Sequence, residues 1–229
     1  MNQEILLVSP IAALRALARL MGTPAFYAAV ALSFGAMLLG FVLAALLGAL
    51  LAVAAYRFPF VDGLLSPLLS AVKATPVASF IILALVWIGT RYLSVFAAFL
   101  MVLPLIYTSV LSGLRSTDAQ LLEMAQVFEI SLNRRARALY LPAAFPYFLT
   151  ACQVALGMCW KAGIAAEVIG QSAGTIGDKL YRAKLFLATD ELFAWTIAII
   201  VLSVLFEKLA LTGMRRLRSV YEGGTAHEA

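Results

Sequence analysis

Apolar and polar positions in this chain segregate over whole stretches, not over single turns. No Asp, Glu, Lys or Arg falls between Arg19 and Arg57. One bilayer crossing takes about 20 apolar residues in a helix, and two would need about 40 plus a turn. The stretch is therefore read as one long crossing over 26–55, and Gly35, Gly40 and Gly48 within it point to close helix packing. A second crossing, bent near Pro76, is expected over 64–89, with Lys73 snorkelling near its cytoplasmic end. The uncharged stretch 92–114, with Pro104 inside it and Arg115 closing it, predicts a third. A fourth is expected over 140–163 and a fifth over 192–211, flanked by Trp195 and ending at Arg215, Arg216 and Arg218. Residues 170–191 hold three glycines and several charges, too polar to cross, and read as an external loop with a short helix.

The chain's two ends behave differently. An amphipathic N-terminal helix is expected within 1–21, where Arg15 and Arg19 stand four apart on one face after Pro10. Lying in the membrane interface is the preferred reading; a short sixth crossing over 4–21 is the alternative. Residues 219–229 read as a flexible tail. The fold class is thus an all-α integral membrane protein: one transmembrane domain, a bundle of five helices, or six if the first segment crosses.

One long interval between apolar runs is polar enough to sit at a membrane surface, 116–139. Thr117 with Gln120 reads as a capping-box start. Leu121, Leu122, Met124, Ala125, Val127 and Phe128 follow at roughly helical spacing. Ser131 is placed to cap a second short helix carrying Arg134, Arg135 and Arg137, and Pro142 to interrupt it before the next crossing.

Composition narrows the class. The chain of 229 residues is 63% hydrophobic and 13% charged, against about half and a quarter in a soluble domain. A barrel would show short alternating segments instead. The net charge of +5 lacks the clustered basic residues and aromatic platforms of a nucleic-acid binder, so it bears on topology. Placing 118–141 inside puts Arg57, Lys73, Arg115, Arg134, Arg135, Arg137, Lys208, Arg215, Arg216 and Arg218 there. Arg15, Arg19, Arg91, Lys179, Arg182 and Lys184 then lie outside, in line with the positive-inside tendency. Cys152 and Cys159 are about 10 Å apart along one helix, too far for a disulfide within it, and read as buried thiols. The single His227, in the tail, argues against a histidine metal site. With no phosphate loop, HExxH or CxxC, the chain is expected to be non-catalytic and to hold no metal or cofactor.

The polar interval carries a recognisable signature. Glu123-Met124-Ala125, followed by Leu141-Pro142, resembles the EAA loop of the permease subunits of binding-protein-dependent ABC importers of type I. Glu129 stands where that family usually has Gly; a left-handed turn there costs a non-Gly residue roughly 1–2 kcal/mol. The text KATPVASFIILALVWIGT and the run from Leu141 through Pro142, Pro146, Tyr147, Gly157 and Trp160 to Glu167 are similar to nitrate, sulfonate and taurine permeases, from which Lys161 departs. Gly174-Thr175-Ile176-Gly177 is the nearest counterpart of that group's Gly-Leu-Gly turn. The resemblance covers about residues 27–212. It implies a multi-pass protein of the bacterial cytoplasmic membrane, working by alternating access beside a second permease subunit, identical or homologous. It further implies ABC ATPase subunits that hold ATP and Mg, and an extracytoplasmic solute-binding protein. Glu123, Met124, Ala125, Phe128, Glu129, Ser131, Arg134 and Arg135 would then contact the ATPase.

Lys161 is the charge deepest in a span, where lysine costs at least about 2.5–3.5 kcal/mol. It would line a translocation path and attract an anion, or else snorkel or pair. Glu167, six residues on and about 240° round the helix, cannot pair with it in a straight helix. Glu167 would gate the path or cap helix ends, and Gln153 and Trp160 could line a polar path. A secondary carrier or channel driven by an ion gradient is the competing function; it predicts more buried acids and an inverted repeat. A structural membrane subunit is the third reading. Co-purification with an ATPase separates them.

Overall fold

The computed structural model describes residues 8–225, with side chains to residue 213. Its first element, α1 (Pro10–Met21), begins where Ser9 accepts the Ala12 amide at 3.2 Å. Twelve residues rise only about 18 Å, short of the ~30 Å apolar core of a bilayer. The described part of this segment is thus shorter than one crossing; residues 1–7, which both readings of the segment include in part, lie outside the described residues. The first crossing, α2 (Pro24–Arg57), is one unbroken helix of 34 residues.

The bend expected near Pro76 is a break of 105° between two helices, α3 (Pro59–Ala74) and α4 (Val77–Ile88). The cause sits at Thr75-Pro76. Proline lacks the amide that would continue the helix and pushes the residue before it out of the α region; Thr75 has φ −83° and ψ 133°. α5 (Leu93–Arg115) is the third long apolar helix. The surface interval folds as α6 (Ala119–Val127) and α7 (Leu132–Arg135).

Pro142 does not end the helix before it, contrary to expectation. A π turn over Ala136–Tyr140 joins α7 to α8 (Leu141–Gly170), giving a continuous apolar helix from Leu132 to Gly170. The wider turn lies just where the missing proline amide and the ring's clash with the preceding turn would otherwise break the ladder. α9 (Ile176–Leu185) is the expected short helix, and α10 (Thr189–Thr225) is the last crossing. α10 runs on through 219–225, where a flexible tail was expected; residues 226–229 lie outside the described residues.

α5 is the centre of the bundle, packed between α2 and α8. Small residues set the spacing. A Cβ on Gly40 would meet the Val95 carbonyl oxygen at 2.5 Å, one on Gly48 the Ile106 side chain at 3.1 Å, and one on Gly113 the Ala144 backbone at 2.8 Å. Gly35 faces open space and makes no such approach. α10 closes the bundle through aromatics: Trp195 stacks on Phe26 at 5.2 Å, and Phe206 meets Phe34 at 4.9 Å and Trp160 at 5.6 Å. Arg19 of α1 bonds Asp190 at 2.7 Å, tying α1 to the start of α10. Asp62 of α3 accepts from Tyr107 at 2.8 Å and Arg115 at 2.7 Å, holding α3 to α5.

Candidate functional site

Two polar assemblies stand at opposite ends of the bundle. The first is the elbow formed by α6 and α7, between the end of α5 and the start of α8. Its N-terminus differs from the capping box expected at Thr117. Asp118 is the cap and accepts the Gln120 amide at 2.8 Å, while Thr117 turns back to donate to the Leu114 carbonyl at 2.9 Å. A carboxylate both satisfies an orphan amide and faces the positive end of the helix dipole.

The end of α6 is a left-handed turn. Ile130 N–H donates to the Ala125 carbonyl at 3.0 Å and Glu129 N–H to Gln126 at 3.1 Å, with Glu129 at φ 50°. These two bonds define a Schellman cap, in which the left-handed position normally takes Gly. The turn is therefore kept despite the glutamate. Arg135 adds a brace: its Nε donates to the Ile130 carbonyl at 2.7 Å and its Nη2 to the Ala125 carbonyl at 3.0 Å. A guanidinium on the last carbonyls of a helix also complements the dipole. This role was not legible beforehand, because Arg135 read as one of the residues that contact the ATPase. Ser131 stands at the N-cap of α7, yet its side chain makes no cap bond; its carbonyl accepts the Arg135 amide.

Braced this way, the elbow buries Ala125, half-buries Leu122, Ile130 and Arg135, and displays the rest. Met124 is 47% exposed, Phe128 72% and Leu132 79%. Glu123, Glu129, Ser131 and Arg134 are exposed beside them, and Arg135 is half-buried. Large apolar side chains presented together on a polar segment mark a contact surface.

The second assembly is a clamp at the far end, where α2 begins and α8 finishes. Glu167 is fully buried, and its Oε2 accepts from Ser33 Oγ at 2.8 Å and from the Gly177 amide at 3.0 Å. Ser33 Oγ accepts the Ile176 amide at 3.0 Å. Two of the orphan amides that open α9 are thus satisfied by side chains of α2 and α8. Gly177 is required there: a Cβ would lie 2.3 Å from that of Glu167. Gly174, at φ +80°, donates its amide to Asp178, which pairs with Arg182 at 2.9 Å. Burial pushes the Asp178 carboxyl up, but hydrogen bonds from Arg182 and Gly174, with the charges of Arg182 and Lys179, outweigh it and hold it below its ordinary value.

The four residues considered for a path do not share one face of α8. Gln153 and Lys161 point outward, two turns apart, with Gly157 between them facing open space. Trp160 and Glu167 point into the core, and each has one buried polar atom, Nε1 and Oε1, without a hydrogen-bond partner. Cys152 and Cys159 are buried and unbridged; the Cys159 thiol contacts the Met37 carbonyl at 3.4 Å.

A solvent-facing elbow between the third crossing and a long fourth helix is the distinguishing feature, and the sequence around it matches a known family model. That model, the binding-protein-dependent transport system inner membrane component, covers residues 44–217. The chain belongs to this family. It has the all-α fold of type I ABC permeases, with four helices long and apolar enough to cross a membrane, and a fifth crossing if the broken α3–α4 pair is counted as one. Among its relatives is a putative aliphatic sulfonates transport permease protein of Bacillus subtilis, 30% identical over 81% of this chain and 68% of its own length. The taurine transport system permease protein of Escherichia coli is 28% identical over 79% of this chain and 65% of its own length. A bicarbonate transport system permease protein of Synechococcus elongatus is 26% identical over 63% of this chain and 52% of its own length. The chain thus spans about two thirds or less of the length of these permeases. It is a multi-pass membrane transport protein related to sulfonate and taurine permeases.

Proposed function

We propose that this chain is the transmembrane permease subunit of an ATP-driven importer of the bacterial cytoplasmic membrane. The exposed apolar face of the elbow carries the reading. Met124, Phe128 and Leu132 are displayed on a segment whose shape is held by Arg135 and the Glu129 turn. A stiff segment with a greasy face suits transmission of a pull from another protein into the spans. The motor is a pair of ABC ATPase subunits that bind ATP and Mg in the cytosol and touch Glu123, Met124, Phe128, Glu129, Ser131 and Arg134. Ala125 and Arg135 serve from within, by packing and bracing. The permease itself hydrolyses nothing.

Two permease subunits, identical or homologous, enclose a path that opens alternately to either side, and a solute-binding protein delivers the cargo from outside. The cargo is a small anion of the oxyanion or sulfonate kind. Lys161, with Gln153 on the same outward face, is the cation that would draw it, since a charge at that depth is tolerated beside water or a partner.

Co-expression with the neighbouring ATPase tests the proposal. Phe128→Asp and Met124→Asp should abolish ATPase co-purification at unchanged membrane insertion. ATPase capture by both variants at the wild-type level would refute it. Lys161→Met should cut anion uptake with ATPase binding intact, and undiminished uptake would remove Lys161 from the path.

A further inference from the structure

A groove of about 740 Å³ lies between α2 and α8 at the elbow end, within the range of ligand pockets, about 300–1,000 Å³. Val110 and Leu114 of α5 form its floor. Ala49 and Val53 of α2 form one wall, and Phe145 and Phe148 of α8 the other. Its polar groups are gathered at one end: Tyr56 and Tyr140, whose rings meet at 5.3 Å, and Arg57. A cavity apolar along its length and polar at one tip has the polarity of an amphiphile. A small solute would need polar partners around it.

Two further observations name the amphiphile. The groove borders the outer face of α2, where Leu46 is 60% exposed and Leu50 67%, a surface as apolar as lipid chains. Arg57 makes no ion pair with any described residue, and its guanidinium carbon rests 5.4 Å over the Phe58 ring. Asp62, five residues on, already accepts from Arg115 and Tyr107. An unpaired cation beside tyrosines at a helix end is placed for an anionic headgroup at the membrane surface.

We infer that this groove binds an anionic phospholipid of the inner leaflet, with an acyl chain between α2 and α8 and the headgroup phosphate on Arg57. The inference rests on the assignment of the elbow to the cytosol. Leu132 and Ala136 line the groove on the elbow side of Tyr140, so the headgroup lies against the start of the long helix that follows the elbow.

The test takes the assembled complex in detergent and measures retained lipid by native mass spectrometry after exposure to phosphatidylglycerol or phosphatidylcholine. The wild type should retain phosphatidylglycerol at least threefold better. Arg57→Gln should lose that preference, and Val53→Trp, which fills the groove from an exposed wall, should retain less of both. Unchanged retention in either variant overturns the inference. A photo-crosslinker at position 53 should capture lipid; capture of the second permease copy overturns it equally. Co-purification of the ATPase is scored separately, so failure of the importer reading is told apart from failure of the lipid site.

Discussion

The clamp and the elbow solve the same problem, a helix end near a membrane surface, in opposite ways. At the clamp, the amides that open α9 are received by Glu167 and Ser33 inside the bundle, and nothing is left to the solvent. At the elbow, the carbonyls that close α6 are received by Arg135 from the next short helix, and the apolar side chains stay outside. The clamp finds these partners within one chain, with Glu167 Oε1 alone left buried without one. The elbow completes only its backbone and leaves its surface for something else to cover. An end sealed from within fixes geometry, whereas an end braced locally keeps its shape and leaves an apolar face uncovered.

Substitutions can break this contrast from either side. Gly177→Val should do the most damage. It drives a side chain into Glu167, with an overpacking cost of about 1–3 kcal/mol and about 1–3 kcal/mol more for each amide left buried and unpaired. A much lower Tm of the detergent-solubilised protein is expected; a Tm equal to the wild type would mean that α9 is not packed as described. Arg135→Ala should come next, and its effect should be local. Two hydrogen bonds from a charged group are lost, each nominally worth about 1.5–3 kcal/mol but less here because the side chain is half-exposed. Faster amide exchange at residues 125–130 with little change in the bundle's Tm is expected. Global destabilisation instead would make the elbow part of the core.

Glu129→Gly should act in the opposite direction. Relief of the φ 50° strain is worth up to about 1–2 kcal/mol, partly offset by the greater freedom of glycine in the unfolded chain. A small rise in the protection of residues 128–131 would sharpen the comparison, and a loss would count against a strained turn. The smallest effect is that of pH on the clamp's outer rim. The Asp178 carboxyl is held below its ordinary 3.8. Its contribution is therefore complete above that pH and is lost as pH falls through the depressed value. Acid should loosen α9, and Asp178→Asn should remove that dependence, read by amide exchange at residues 176–185.

Much of this was legible without coordinates. Charge-free runs marked the crossings because burying a charge in lipid is costly, whatever the neighbours do. The elbow announced itself through Glu123, Ala125 and Leu141-Pro142. Errors arose where a backbone had two local options. Pro76 and Pro142 look alike in a linear text, yet one breaks its helix at 105° and the other is absorbed by a π turn. Thr117 read as the cap of α6, and the neighbouring Asp118 carboxylate takes that place. Partnerships across 134 or 143 residues, such as Ser33 with Glu167 and with Ile176, leave no periodic trace.

By itself, the order of residues decided that this chain lies in a membrane, roughly where it crosses, and which family it joins. Each of these depends on solvation and local pattern, which are properties of contiguous stretches. Only the tertiary structure decided that Glu167 closes one end, that Arg135 braces the other, and that a groove with one charged tip lies between α2 and α8. These depend on which faces of distant helices meet, and small residues such as Gly40, Gly113 and Gly177 govern that through the close approaches they permit.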